Sequence, residues 1–179
     1  NRQALLWLAF LFVFQIFETP FVFKTIWLNE QVGMSQALIG LYVALEMGVG
    51  VITLLYLDRW LQKTDHLRIL TIALIGLLFV MPLWLLLPGI WTRFLLVVPY
   101  SFFVSVIWPI SKAQSLASAP GKGGTVSAAQ SLFGFVPFSV IFAFGAEQFN
   151  LTSAMLWTHV VALVLLLALI VLLARVGRG

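Results

Sequence analysis

Six long apolar stretches follow one another through 179 residues, with very little polar sequence between them. A bilayer offers no water to an unpaired backbone N–H or C=O, so a helix, which satisfies those groups within one segment, is the natural way to span it. Four uncharged runs cover 69–92, 94–111, 123–146 and 148–174, and two more regions are interrupted by one carboxylate each, Glu18 and Glu46. At about 20 apolar residues per span, the sequence predicts an all-α membrane protein with six transmembrane helices at roughly 4–28, 36–57, 67–87, 91–117, 124–146 and 150–174. An even number of crossings puts both termini on one side.

Hydrophobic residues make up 62% of the chain, charged residues only 9%, and the mean hydropathy is +1.09, a profile outside the range of soluble domains. Cysteine is absent, which removes disulfides, thiol nucleophiles and zinc-thiolate sites. His66 and His159 are too few and too far apart for a metal centre, so no metal or cofactor is expected. The first apolar stretch carries Glu18 and Lys24 and lacks a small-residue cleavage pattern, so it is expected to remain as a helix rather than act as a signal peptide. The chain opens on Asn1 rather than Met, and a longer polypeptide is expected around it.

With the termini in the cytoplasm, eight of the ten basic residues lie there: Arg2, Arg59, Lys63, Arg68, Lys112, Lys122, Arg175 and Arg178. Only Lys24 and Arg93 lie opposite. Lys and Arg in short loops resist translocation, so the bias predicts two cytoplasmic termini. The net charge of +4 is divided among loops and tails instead of forming one stripe, which suits anionic lipid headgroups and argues against a nucleic-acid partner. The expected location is the cell membrane, such as a bacterial inner membrane.

Glu18 lies about ten residues from the outer end of the first span, roughly 15 Å at 1.5 Å per residue, and Glu46 is about as deep in the second. A carboxyl near the midplane costs roughly 2.5–3.5 kcal/mol on insertion scales and normally faces a bundle interior or a wet cavity. Proton coupling or substrate binding is the functional reading, and a hydrogen-bonded Glu that joins helices is the structural one. Gln15, Glu18 and Thr25 share one helical stripe, as do Tyr42, Glu46, Gly50 and Thr53. Lys24, six residues from Glu18, turns away from that stripe and is expected to snorkel to the outer interface.

Pro20, Pro99, Pro109 and Pro137 fall inside predicted helices, where each frees a carbonyl four residues earlier, so kinks that permit gating are expected. Gly123, Gly124, Ser127, Ala128, Ser131 and Gly134 give the fifth span a small-residue packing face. The third and sixth spans are dominated by Leu, Ile, Val and Phe and are expected to face lipid, with His159 as a neutral structural residue. The run from Gly121 to Thr125 lacks the upstream glycine and strand of a phosphate loop and reads as a turn.

Between the second and third spans the chain reads Leu57, Asp58, Arg59, Trp60, Leu61, Gln62, Lys63, then His66 and Arg68. This resembles the cytoplasmic loop motif of the major facilitator superfamily, in which an Asp and an Arg precede a Gly and a basic cluster. Leu54 and Leu61 stand where that family has glycines, and Gln62 replaces one basic residue. Asp58 is expected to pair with neighbouring cations and cap the next helix. The stretch from Phe17, Thr19, Pro20 and Phe21 to Gly33, Met34, Ser35, Ile39 and Gly40 is similar to the first helix and outer loop of the family's second half. Pro120, Gly121, Lys122, Gly123 and Gly124 to Phe135 look like the opening of its eleventh helix. The resemblance covers essentially the whole chain and implies the C-terminal six-helix half of a twelve-helix transporter, built from two inverted three-helix repeats. It implies that the first and fourth helices line a cavity, the second and fifth meet the other half, and the third and sixth face lipid. It also implies a gating loop of Asp58, Arg59 and Lys63, a substrate cavity lined by Gln15, Glu18, Tyr100, Ser101, Ser105 and Trp108, and Gln130 at the junction between halves.

The expected function is secondary transport by alternating access, with Glu18 or Glu46 coupling protons to the efflux of a small amphipathic solute. Proton-coupled uptake of a sugar or nutrient is the alternative within that class, and a non-transporting six-helix scaffold, assembling through the fifth helix, is the alternative outside it. The expected partners are the solute, protons, the lipid bilayer and a second six-helix half, in the same polypeptide or an associated chain. No Ser/His/Asp, HExxH or paired-aspartate arrangement is present, so no enzyme is expected.

Overall fold

Local capping chemistry sets the helix starts. Asn1, Ser35, Asp65 and Asn150 each turn a side-chain oxygen onto a backbone N–H of the following first turn, filling donors that a helix leaves unpaired. The computed structural model describes residues 1–62, 64–133 and 138–177, without the side chains of Gln130 and Phe133. Helix α1 spans Arg2–Glu18, and a 3-10 turn, Thr19–Phe23, leads into α2, Lys24–Glu30. Then come α3 (Gln36–Leu61), α4 (His66–Leu86), α5 (Ile90–Ala117), α6 (Gly123–Phe133), α7 (Phe138–Phe149) and α8 (Leu151–Val176). No strand occurs among the described residues. The first span taken as a whole, α3, α4, α5 and α8 are five helices long and apolar enough to cross a membrane. The fold is that of an all-helical, multi-pass membrane protein.

The first predicted span is broken where Pro20 lacks a donor, and Thr19 Oγ1 donates to the Gln15 carbonyl at the same point. Pro82, Pro99 and Pro109, by contrast, sit inside continuous helices. The predicted fifth span is two helices among the described residues, α6 with 11 residues and α7 with 12, each too short to cross alone at about 20 residues per span. Residues 134–137, Gly134 and Pro137 among them, lie outside the described residues.

α4 packs on α5 and α8, α1 on α8 and α5, and α3 on α5. The first span also meets α6 and α7. These pairings correspond internally: α1 with α8 matches α5 with α4, and the first span with α6–α7 matches α5 with α3. Two close approaches depend on glycine. A Cβ at Gly50 would lie 2.9 Å from Ser105 Oγ, and one at Gly76 would fall inside contact distance of the Phe103 ring.

α4 and α8, expected from the sequence to face lipid, each expose one apolar stripe and bury another. Ile72, Ile75, Phe79, Leu83 and Leu86 are outward on α4, whereas Leu70, Leu74, Leu77 and Met81 are buried. α4 is in fact the most buried span and α3 the least. Both faces of α4 are apolar because lipid and protein interior accept the same side chains, so polarity does not rank them. Asn1 and Gly177 lie at one end of the bundle: Asn1 Nδ2 donates to the Ser118 carbonyl, and Gln3, His66, Arg68 and Gly177 border one cavity. α2, the start of α3, the end of α4 and Arg93 form the other end.

Candidate functional site

The 3-10 turn and α3 bring Lys24 and Glu46 together. Lys24 does not snorkel; its Nζ pairs with Glu46 Oε2, and the side chains are only 11% and 19% exposed. The cause is helical pitch. Six steps at about 100° leave Lys24 about 240° from Glu18. Five of those steps at the 3-10 value of about 120° bring it to about 340°, back toward the interior. The rings of Phe21 and Tyr42 lie 5.4 and 5.7 Å from the ammonium and favour its charge.

The α3 stripe faces α5. Tyr42 and Thr53 are buried, Thr53 Oγ1 donates to the Val49 carbonyl, and Ser101 Oγ donates to the Glu46 carbonyl. Glu18 ends α1, half-buried, and forms no hydrogen bond or ion pair among the described residues. It lies within electrostatic reach of the buried Tyr100 hydroxyl, as do Glu46 and Tyr42. Glu18, Glu46 and Tyr100 thus belong to one neighbourhood built by three spans.

The residues expected to line a cavity are dispersed. Tyr100 packs between Phe21 and Trp84, with centroids at 5.4 and 6.5 Å. Ser101 and Ser105 face α3, where the absence of a Gly50 side chain admits them. Gln15 is half-buried; Trp108 is 37% exposed, stacks on Phe14 at 6.2 Å and receives Lys112 at 6.0 Å. Gln130 lies on α6, its side chain outside the described residues. Thr25, expected on the Glu18 stripe, is exposed because the same change of pitch rotates it outward.

Asp58 and Arg59 occupy the last turn of α3, and Lys63 lies outside the described residues. Asp58 accepts from Gln62 Nε2 at 3.2 Å, and Arg59 lies over the Tyr56 ring at 5.6 Å. The next helix is capped by Asp65 instead of Asp58, because α3 continues to Leu61 and leaves Asp58 within its own turn. Asp65 also sits 3.3 Å from His66 Nδ1.

His159 is fully buried, Nδ1 donating to the Met155 carbonyl and the ring held 5.0 and 5.2 Å from Phe17 and Phe21. Arg93, read from the sequence only as an outer cation, is 4% exposed in the first turn of α5. Its guanidinium lies 5.1 Å from the Trp27 ring and 5.9 Å from Trp84, and Nη2 donates to the Leu85 carbonyl at 3.4 Å. Trp27 and Trp84 at the same predicted membrane level as Arg93 were the available signal, since indole faces attract cations. Among the described residues no three His, Asp or Glu side chains are grouped to hold a metal.

The fold and this site define the class, a multi-pass helical membrane protein with charged groups drawn into its spans. No protein-family model, curated protein or solved structure matches the chain.

Proposed function

We propose that the chain is a six-helix half of a secondary transporter, resembling the C-terminal half of the major facilitator superfamily, that couples proton movement to efflux of a small amphipathic solute. The observation that carries this reading is the Lys24–Glu46 pair, enclosed within apolar helices beside Glu18, which has no ion partner among the described residues. Protonation of Glu46 removes one charge of the pair and releases Lys24. α2 and α3 are then tied in one protonation state and free to part in the other, a two-state element on which alternating access can act.

Other features support the architecture. The pairing correspondence relates α1–α4 to α5–α8, and an odd number of spans in each unit makes the repeats inverted, with α6 and α7 together serving as the fifth crossing. The described basic residues other than Lys24 and Arg93 belong to the end with Asn1 and Gly177, which favours a cytoplasmic location for that end. Leu41, Leu45, Val51 and Leu55 leave α3 broadly exposed, as a helix awaiting a second half would be. A 440 Å³ cavity between the first span, α7 and α8, apolar except for hydroxyls such as those of Thr19 and Thr158, suits an amphipathic solute.

The test is proton movement in proteoliposomes that contain the polypeptide carrying this sequence, followed with an internal pH dye while amphipathic solutes are offered. Solute-dependent proton movement is expected, and Glu46→Gln or Glu18→Gln should abolish it. Unchanged coupling in both variants sinks the proton assignment. A parent protein that moves no protons and tolerates both replacements is the non-transporting assembly module.

A further inference from the structure

At the end of the bundle opposite Asn1, Nε and Nη1 of Arg93 are buried without a hydrogen-bond partner among the described residues, and beside them the buried Tyr42 hydroxyl and Trp84 Nε1 face each other. They belong to one cluster. The Arg93 guanidinium lies against Trp27 and Trp84, whose rings are 4.9 Å apart, while Tyr42 is 6.5 Å from Trp84 and within electrostatic reach of both Arg93 and Glu46. α2, α3, α4 and α5 each contribute one of these side chains, so the arrangement depends on the whole fold at that end.

The charges do not balance. Glu46 is taken by Lys24, and no carboxylate pairs with Arg93 among the described residues. The carboxyl end of α4 supplies the Leu85 carbonyl and a helix dipole equivalent to roughly half an elementary charge, which leaves the guanidinium only partly compensated. Indole faces contribute further, but a buried cation with two idle donors still lacks an anion. Nε and Nη1 lie on different edges of the guanidinium, so one of them together with the Nη2 hydrogen not given to Leu85 makes the parallel pair that a carboxylate accepts best. The Tyr42 hydroxyl beside it adds a neutral donor, the Trp84 N–H being turned to Tyr42, and the two indoles supply flat apolar walls.

We infer that Arg93, Tyr42 and Trp84 form a closed recognition site for the carboxylate of a small aromatic or amphipathic organic acid. This rests on the transporter reading and specifies its cargo. In the present conformation the idle atoms are shielded, so the anion enters when one indole moves aside. Both indoles stand close to an interruption of regular helical hydrogen bonding. The 3-10 turn precedes Trp27, and Pro82 lies two residues before Trp84. The Lys24–Glu46 pair lies beside the anion site, with the Lys24 ammonium 5.7 Å from the Tyr42 ring.

The test is binding to the polypeptide carrying this sequence in lipid nanodiscs, read by tryptophan fluorescence, with benzoate and phenylacetate as probes and benzamide and phenylacetamide as neutral controls. Saturable quenching by the acids and none by the amides is expected. Arg93→Lys, which keeps the charge but loses the fork, should weaken acid binding by about tenfold, and Tyr42→Phe should weaken it less. Each variant is first checked for the parent's unfolding temperature and elution volume, and Tyr42→Phe serves if Arg93→Lys fails to fold. Equal responses to acids and amides, no saturable response to either, or undiminished acid binding in the folded variants overturns the site. Nanodisc binding needs no gradient, so the two readings fail separately. Acid binding without solute-driven proton movement keeps the site and removes transport. Proton movement driven equally by the amides and unaffected by Arg93→Lys keeps transport and removes the site.

Discussion

The two ends of the bundle treat charge in opposite ways. At the end that holds Asn1 and Gly177, Arg2, Asp58, Arg59, Arg68, Lys112, Lys122 and Arg175 are all exposed. At the other end Glu30 and Glu147 stay outside, but Lys24, Glu46 and Arg93 are drawn into the helices. The contrast teaches that charge number and charge consequence run in opposite directions here. An exposed cation is screened and hydrated whatever its neighbours do, whereas an enclosed one depends on each partner.

The largest expected effect falls on the enclosed pair. Lys24→Met leaves Glu46 without its cation and should destabilise the fold by about 3–5 kcal/mol, read as a lower unfolding temperature in nanodiscs. Replacing both, Lys24→Met with Glu46→Leu, should recover most of the loss, because the lone charge is the costly species. A single variant as stable as the parent would break the comparison at its enclosed end. A smaller effect is expected at Asn150, whose Oδ1 accepts from the Ser153 N–H at 2.9 Å to cap α8. Asn150→Ala should cost about 1 kcal/mol, and Asn150→Gly only a few tenths, since the backbone there has φ of +67°. A glycine variant as weak as the alanine variant would show that side-chain capping outweighs backbone strain. The smallest effects belong to the open end. Arg59→Gln and Arg68→Gln should each change stability by less than about 0.5 kcal/mol. A cost matching that of Lys24→Met would erase the distinction between the ends.

Helix limits were the most legible part of the fold. Ser35, Asp65 and Asn150 are capping residues ahead of apolar runs, and the predicted spans 36–57, 67–87, 91–117 and 150–174 lie on α3, α4, α5 and α8. Pro20 signalled a break, but the resulting pitch was not readable. A uniform 100° rotation therefore sent Lys24 outward and kept Thr25 on the Glu18 stripe. Within the candidate site, the polar stripe of Tyr42, Glu46, Gly50 and Thr53 was visible in the spacing, while its partners Lys24, Ser101 and Ser105 were not. Those contacts join residues far apart in sequence, and no local pattern records them. Arg93 was missed because its position near a helix start looks the same whether it reaches water or turns between two indoles.

The sequence by itself determined that this chain forms helices fit to cross a bilayer and where most of them begin. Both follow from local demands: enough apolar residues to match the hydrocarbon thickness, and side-chain caps for the unpaired N–H groups. Only the tertiary structure decided which apolar stripe of α4 is buried, that Lys24 meets Glu46, and that Arg93 is enclosed by Trp27 and Trp84. In a membrane the lipid and the protein interior are equally apolar, so the choice between faces is made by shape and packing, which arise only when the helices meet.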